Sequence, residues 1–132
     1  MKSTASTLIA APAMTMLPAE DLGRARGFYE STLGLPVQQS GDDESTLIVE
    51  AGGDTRIGLY EHARTKADHT AVTFEVADLD AAMSDLRAHG VHFEDYDYPG
   101  LKTVDGVAAR GRERAAWFFD SEGNTLCLHQ AA

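Results

Sequence analysis

The chain has one cysteine, Cys127, one tryptophan, Trp117, and little positive charge: 11 Lys and Arg stand against 21 Asp and Glu, a formal net charge of −10. A lone cysteine rules out an intrachain disulfide and fits a reducing, cytoplasmic setting. No run of basic residues occurs anywhere. A surface this acidic is repelled by phosphate backbones and anionic lipid, so neither a nucleic-acid nor a membrane partner is expected. Long apolar runs are missing as well, none approaching the roughly 18 residues that cross a bilayer. Lys2 ahead of Leu8-Ile9-Ala10-Ala11-Pro12-Ala13 makes a poor secretion signal, because it offers one charge and a short apolar part that runs on into a strand. There is no phosphate-binding glycine loop, metal finger, serine nucleophile elbow or nucleic-acid motif.

What the chain does contain is a repetition. Asp21-Leu22 opens an apolar helical pattern that stops at Gly34-Leu35, and Asp78-Leu79 opens another that stops at Gly90-Val91. In the first, Leu22, Ala25, Tyr29 and Leu33 fall on one stripe with Phe28 beside it; in the second, Leu79, Ala82, Met83 and Leu86 do the same. The aspartates are placed to cap the free N–H groups of each first turn, and the glycines to end each helix in the left-handed conformation. Alternation and turn residues predict strands at about 12–17, 35–39, 45–50 and 56–61, then at 69–76, 91–96, 114–119 and 125–130. The order is strand, helix, three strands, made twice: unit one at about 12–62 and unit two at about 69–130 of a single domain. Asp97 to Glu113 is a long connection, read as a lid or a surface excursion.

A duplicated unit carrying Phe28-Tyr29-Glu30, Leu33-Gly34-Leu35, Phe74-Glu75-Val76-Ala77-Asp78-Leu79 and Phe119-Asp120-Ser121-Glu122-Gly123-Asn124 resembles the vicinal oxygen chelate superfamily. That group includes glyoxalase I, extradiol dioxygenases and the fosfomycin- and bleomycin-resistance proteins. The resemblance implies an α+β fold, two βαβββ repeats forming facing curved mixed sheets around a cleft. For the metal-dependent members it also implies four inward ligands, which here fall at Met14, near Gly58, at Ala71 and at Cys127. These side chains do not hold a hard divalent cation. No metal and no other cofactor is therefore expected, which argues against the chemistries that need one.

His69 and His129 each lie two residues from one of those positions. The resemblance implies that their strands are antiparallel neighbours, which would let the two imidazoles face each other as a displaced metal site or as a polar pair holding an organic ligand. Cys127 reads either as a nucleophile or as a small buried side chain filling the space of the lost ligand. His62, His89 and His92 read as surface groups. Met14 and Met16 share a face of the first strand, alternation places Gly58 and Tyr60 together, and Trp117 shares a face with Phe119, although Phe118 takes their place if the register is shifted by one. Tyr96 and Tyr98 open the long connection.

Methionine and aromatic side chains suit flat organic molecules. The resulting expectation is a metal-free, sequestering small-molecule binder, in the manner of the bleomycin-resistance branch. Its pocket would be lined by Met14, Met16, Tyr60, Trp117, Phe119 and Cys127 and oriented by His69 and His129, with the segment from Tyr96 to Gly106 closing over it. The resemblance further implies a homodimer. Two alternatives stand beside this one: a glyoxalase-like lyase or isomerase with a displaced or absent metal, and a structural module whose cleft is filled by its own side chains.

Overall fold

A computed structural model describes residues 7–132; Lys2, weighed above in the secretion signal, lies outside them. Two four-stranded mixed sheets form the frame. The first runs β1 (Thr15–Ala19), β4 (Arg56–Glu61), β3 (Asp43–Glu50), β2 (Val37–Ser40), and the second β5 (Thr70–Glu75), β10 (Thr125–Gln130), β9 (Glu113–Phe119), β8 (Ala108–Arg110). In each, the strand before the helix pairs in parallel with the last strand of its unit, and the other pairings are antiparallel. This is the α+β arrangement that the resemblance implies. No described helix is long and apolar enough to cross a membrane.

Both helices begin as their sequences require. The Asp21 carboxylate accepts the Arg24 N–H at 3.0 Å and starts α1 (Leu22–Gly27), while that of Asp78 accepts the Ala81 N–H at 3.1 Å and starts α2 (Leu79–Ala88). Gly34 and Gly90 end them at φ of +73° and +95°. Beyond Gly27 the first helix widens into a π-helical turn, Phe28–Thr32, with the Leu33 N–H bonded to the Phe28 carbonyl. Ala25 and Tyr29 of the first helix, with Leu79 and Met83 of the second, pack against Leu17, Leu59, Phe118 and Leu126 in one core.

A buried polar knot ties the two units together. Asp120 accepts the Tyr29 hydroxyl at 2.7 Å, the Glu122 and Asn124 N–H groups at 2.8 Å each and the Asn124 side-chain amide at 2.9 Å; that same amide also donates to the Pro18 carbonyl. Beside it, Glu122 takes Arg24 through two nitrogens and the Asp21 N–H. The Phe119-to-Asn124 motif is thus a fastening between units as well as a hairpin turn.

Three expectations need correction. The first strand starts at Thr15, where its ladder with β4 begins, so Met14 stands just ahead of it. Residues 91–96 form no strand: the Glu94 N–H bonds to the Trp117 carbonyl, but the chain then turns away because Asp95 takes the Thr103 hydroxyl and the Gly106 N–H, and Thr103 takes the Tyr96 N–H. β8 occupies the rest of that edge. The long connection is accordingly folded: a hairpin of β6 (Asp97–Tyr98) and β7 (Leu101–Lys102) is followed by a tight turn at Asp105-Gly106, both with positive φ, that brings Val104 against Val107.

Candidate functional site

Each sheet has one face covered by its helix and one left free. In the first sheet Leu17, Ala19, Ile57 and Leu59 face α1, so Met16, Gly58 and Tyr60 face away, with Ile48 paired to Gly58. Met16 and Met14 fold over Gly58. A Cβ built there would collide with the Met16 sulfur, and the Met14 methyl would lie 3.4 Å from it. Glycine is what permits the thioethers to cover the strand. A cavity of about 370 Å³ opens beside Met16 and Tyr60 and is bordered on its other side by His69, Thr70 and Thr125.

In the second sheet Phe118 is 1% exposed in the core, which settles the register: Trp117 and Phe119 point to the free face, and Phe119 stays 44% exposed. Across the strands Trp117 pairs with Cys127 and Cys127 with Thr73; in the next row Ala108 pairs with Ala115, Ala115 with His129 and His129 with Glu75. Tyr96 meets Trp117 edge-to-face, with centroids 5.9 Å apart and planes at 81°, and Tyr98 meets Tyr96 at 5.9 Å. The indole N–H donates to the Thr70 hydroxyl at 3.1 Å. A cavity of about 440 Å³ lies here, with Trp117, Ala115 and His129 among its lining and the β6–β7 hairpin contributing Gly100, Leu101 and Lys102.

His129 is the most constrained titratable group on this face. Its Nδ1 lies 2.8 and 2.9 Å from the two Glu75 oxygens, and its Nε2 lies 3.1 Å from Glu113. A carboxylate only accepts hydrogen bonds, so an arrangement with one at each ring nitrogen favours the protonated ring. Hydrogen bonding to Glu75 raises its pKa, outweighing the opposing effect of burial, with Glu113 adding to the rise. Burial pushes the Cys127 thiol up, against the weaker effect of the Thr73 hydroxyl, and pushes the Tyr96 phenol up. Cys127 is therefore a buried thiol, which suits the space-filling reading better than the nucleophilic one.

The expected lining residues divide into two groups. Met14, Met16 and Tyr60 come together on the first sheet; Tyr96, Tyr98, Trp117 and Cys127 come together on the second, with Phe119 on the same face. His69 and His129 do not meet. The ladder between β5 and β10 is parallel, so His129 stands beside Glu75 at one end while His69 precedes Thr70 at the other, roughly 20 Å away at about 3.3 Å per residue. His69 bonds to Asp68 and its side chain is 77% exposed. The expected pair, as metal site or as ligand clamp, is excluded by strand direction. His62, His89 and His92 are exposed.

The residues also do not fit the metal implied by the resemblance. Thioethers fill the space over Gly58, and the ladder slips between Thr125 and Leu126, leaving Ala71 unpaired and partly packed against the core while Thr70 bonds to Trp117 and Thr73 reaches Cys127. Among the described residues no three His, Cys, Asp or Glu side chains converge as a metal site. The nearest approach, Glu75-His129-Glu113, offers an imidazole whose two nitrogens are already engaged. Sequence reasoning missed Glu75 and Glu113. The β9–β10 hairpin register would have exposed Glu113, and the parallel pairing Glu75.

The Glyoxalase family, the Glyoxalase/Bleomycin resistance protein/Dioxygenase superfamily, matches residues 11–128. Among solved structures, a putative glyoxalase family protein from Bacillus anthracis aligns at TM-score 0.74 and 16% identity, covering 100% of each chain. TnmS3, an antibiotic binding protein from Streptomyces sp. CB03234, aligns at 0.71 and 22%, covering 96% of this chain and 100% of its own. The fosfomycin resistance protein FosX from Listeria monocytogenes aligns at 0.69 and 15%, covering 93% and 94%. At these identities the likeness establishes the fold. No curated protein matches the chain.

Proposed function

Because the chain belongs to the glyoxalase/bleomycin resistance protein/dioxygenase superfamily, we propose that it binds a small, largely apolar or aromatic molecule on its helix-free sheet faces without a metal, and that it acts by sequestration. The observation that carries this reading is the wall made by Trp117, Tyr96 and Tyr98 beside an open cavity. Each aromatic contact of this kind is worth about 0.5–1.5 kcal/mol beyond the area it buries, which suits a planar guest. The donor positions support the same reading, since they present Met14, Gly58 under Met16, and Cys127 instead of imidazole and carboxylate oxygen. That TnmS3 is an antibiotic binding protein fits a container role for this fold.

Trp117 is the only tryptophan and supplies its own reporter. A thermal-shift screen of aromatic antibiotics and metabolites, repeated by Trp117 emission, should find compounds that raise the melting temperature and quench the indole together. If nothing does either, sequestration falls and the self-filled structural module takes its place.

A glyoxalase-like lyase or isomerase is the second reading, and it draws on His129, whose ring lies between two carboxylates at the cavity edge with its pKa raised, which makes it a candidate general acid. Mass analysis of a bound compound before and after incubation separates the two: unchanged mass and isomer identity support sequestration, and turnover lost in His129→Ala supports the enzyme. A homodimer is also part of the proposal. It draws on the exposed Met16 and Phe119, which a second chain would cover. Light scattering giving the mass of one chain would remove it.

A further inference from the structure

We propose that the cavity on the second sheet is specific for organic acids, a flat aromatic body carrying a carboxylate or sulfonate, with Lys102 and Arg110 as the groups that hold the anion. This deepens the sequestration reading and rests on it. The first observation is a local reversal of charge. The chain carries −10 overall, yet Lys102, Arg110 and Arg114 all line this one cavity, with Glu113 as the only carboxylate among the lining residues.

The second is which of these charges are already engaged. Arg114 holds Asp80 at 2.8 and 3.1 Å, and Glu113 accepts from His129. Glu75 is turned onto the other side of the same ring. Lys102 faces Asp97 across the β6–β7 hairpin and Arg110 faces Glu113 across β8–β9, but neither side chain forms an ion pair or hydrogen bond among the described residues. Two cations therefore remain uncommitted at the rim, while the carboxylate on the floor is already hydrogen-bonded to His129.

The third is shape. Ala108 and Ala115 pair side by side and leave the middle of the floor without a protruding side chain. Trp117 closes one end, and Arg110 with Glu113 marks the other, four residues along β9, or roughly 14 Å at about 3.4 Å per residue. A two-ring aromatic laid on the alanines has room to reach Trp117 with its apolar end and the cations with its acid. Arginine and lysine at a rim act mainly through charge, so the preference is expected to weaken with salt.

The test compares two dyes with the same rings. 1-Anilinonaphthalene-8-sulfonate carries the acid, N-phenyl-1-naphthylamine lacks it, and energy transfer from Trp117 reports binding at this cavity. The expected result is a Kd for the sulfonate at least about tenfold below that of the neutral dye, with the difference shrinking in high salt. Lys102→Ala combined with Arg110→Ala should erase the preference and leave the neutral dye unchanged, and 2-naphthoate should displace the sulfonate where 2-naphthamide does not. Equal affinity for the two dyes, or a preference that survives the double substitution, overturns this inference while leaving sequestration standing. If neither dye binds near Trp117, both readings fail.

Discussion

Replacing Tyr29 with Phe removes one oxygen from the contact that ties the π-helical turn of the first unit to the last hairpin of the second. Tyr29 is 0% exposed, and its hydroxyl donates to Asp120 at 2.7 Å. A hydrogen bond to a charged acceptor contributes about 1.5–3 kcal/mol. Asp120 keeps its three other donors, from Glu122 and Asn124, so the carboxylate is not orphaned and the loss stays near the middle of that range, about 2 kcal/mol. At about 2.1 cal/mol/K per residue, a chain of 132 residues has an unfolding entropy near 0.28 kcal/mol/K, so the melting temperature should fall by about 7 °C. Urea unfolding should show the same loss with an unchanged m-value, because no surface exposed on unfolding has been added or removed. Tyr60→Phe is the control, since that hydroxyl makes no hydrogen bond among the described residues, and it should change stability by less than about 0.5 kcal/mol. A Tyr29→Phe variant as stable as Tyr60→Phe would show that Asp120 organises its turn without help from the first unit, and that the knot does not couple the two sheets.

Three further outcomes follow from the same structure. Burial alone would raise the Glu122 pKa, but Arg24, the Asp21 N–H and the Ser121 hydroxyl outweigh it and hold it at about 2. Since this lies below the unfolded value, the contribution is complete above about pH 5 and is lost as pH falls toward 2; the urea midpoint should drop across that window, and less steeply in Glu122→Gln. His129 behaves oppositely: its raised pKa adds stability below the ordinary histidine value and loses it as pH rises through the folded pKa, so its ring protons should titrate above 6.5, with Glu75→Gln moving them down. Arg24→Ala leaves the buried Glu122 carboxylate with the Asp21 N–H and Ser121 hydroxyl alone, and should lower the urea midpoint at neutral pH.

The elements were legible in the sequence wherever a local rule decides them. Asp21, Asp78, Gly34 and Gly90 act through their own side chain or their lack of one, and they cap and stop the helices as read. The faces of β4 and β9 followed from alternation, and only the choice between Trp117 and Phe118 waited on seeing which one the helices cover. What sequence could not supply was relation between strands. His69 and His129 were brought together by a supposed antiparallel pairing, and one reversal of direction sends them to opposite ends of β5 and β10. Glu75 and Glu113 escaped notice because each reaches His129 only through a neighbouring strand. Residues 91–96 have the composition of a strand, but Thr103 takes the Tyr96 N–H and the Asp95 carboxylate takes the Gly106 N–H, and these bonds divert the segment. The cationic rim was equally hidden, since Lys102, Arg110 and Arg114 belong to three different strands.

Metal-independent binding is the claim most directly exposed to measurement. Protein stripped with EDTA and desalted can be titrated with the two naphthalene dyes while Trp117 emission is followed, then titrated again after one equivalent of zinc, nickel or manganese per chain. The account predicts saturable binding in the stripped protein, an unchanged Kd after metal addition, and less than about one-tenth of an equivalent of metal retained through a second desalting. Binding that appears only when metal is restored, together with one retained metal per chain, would contradict it.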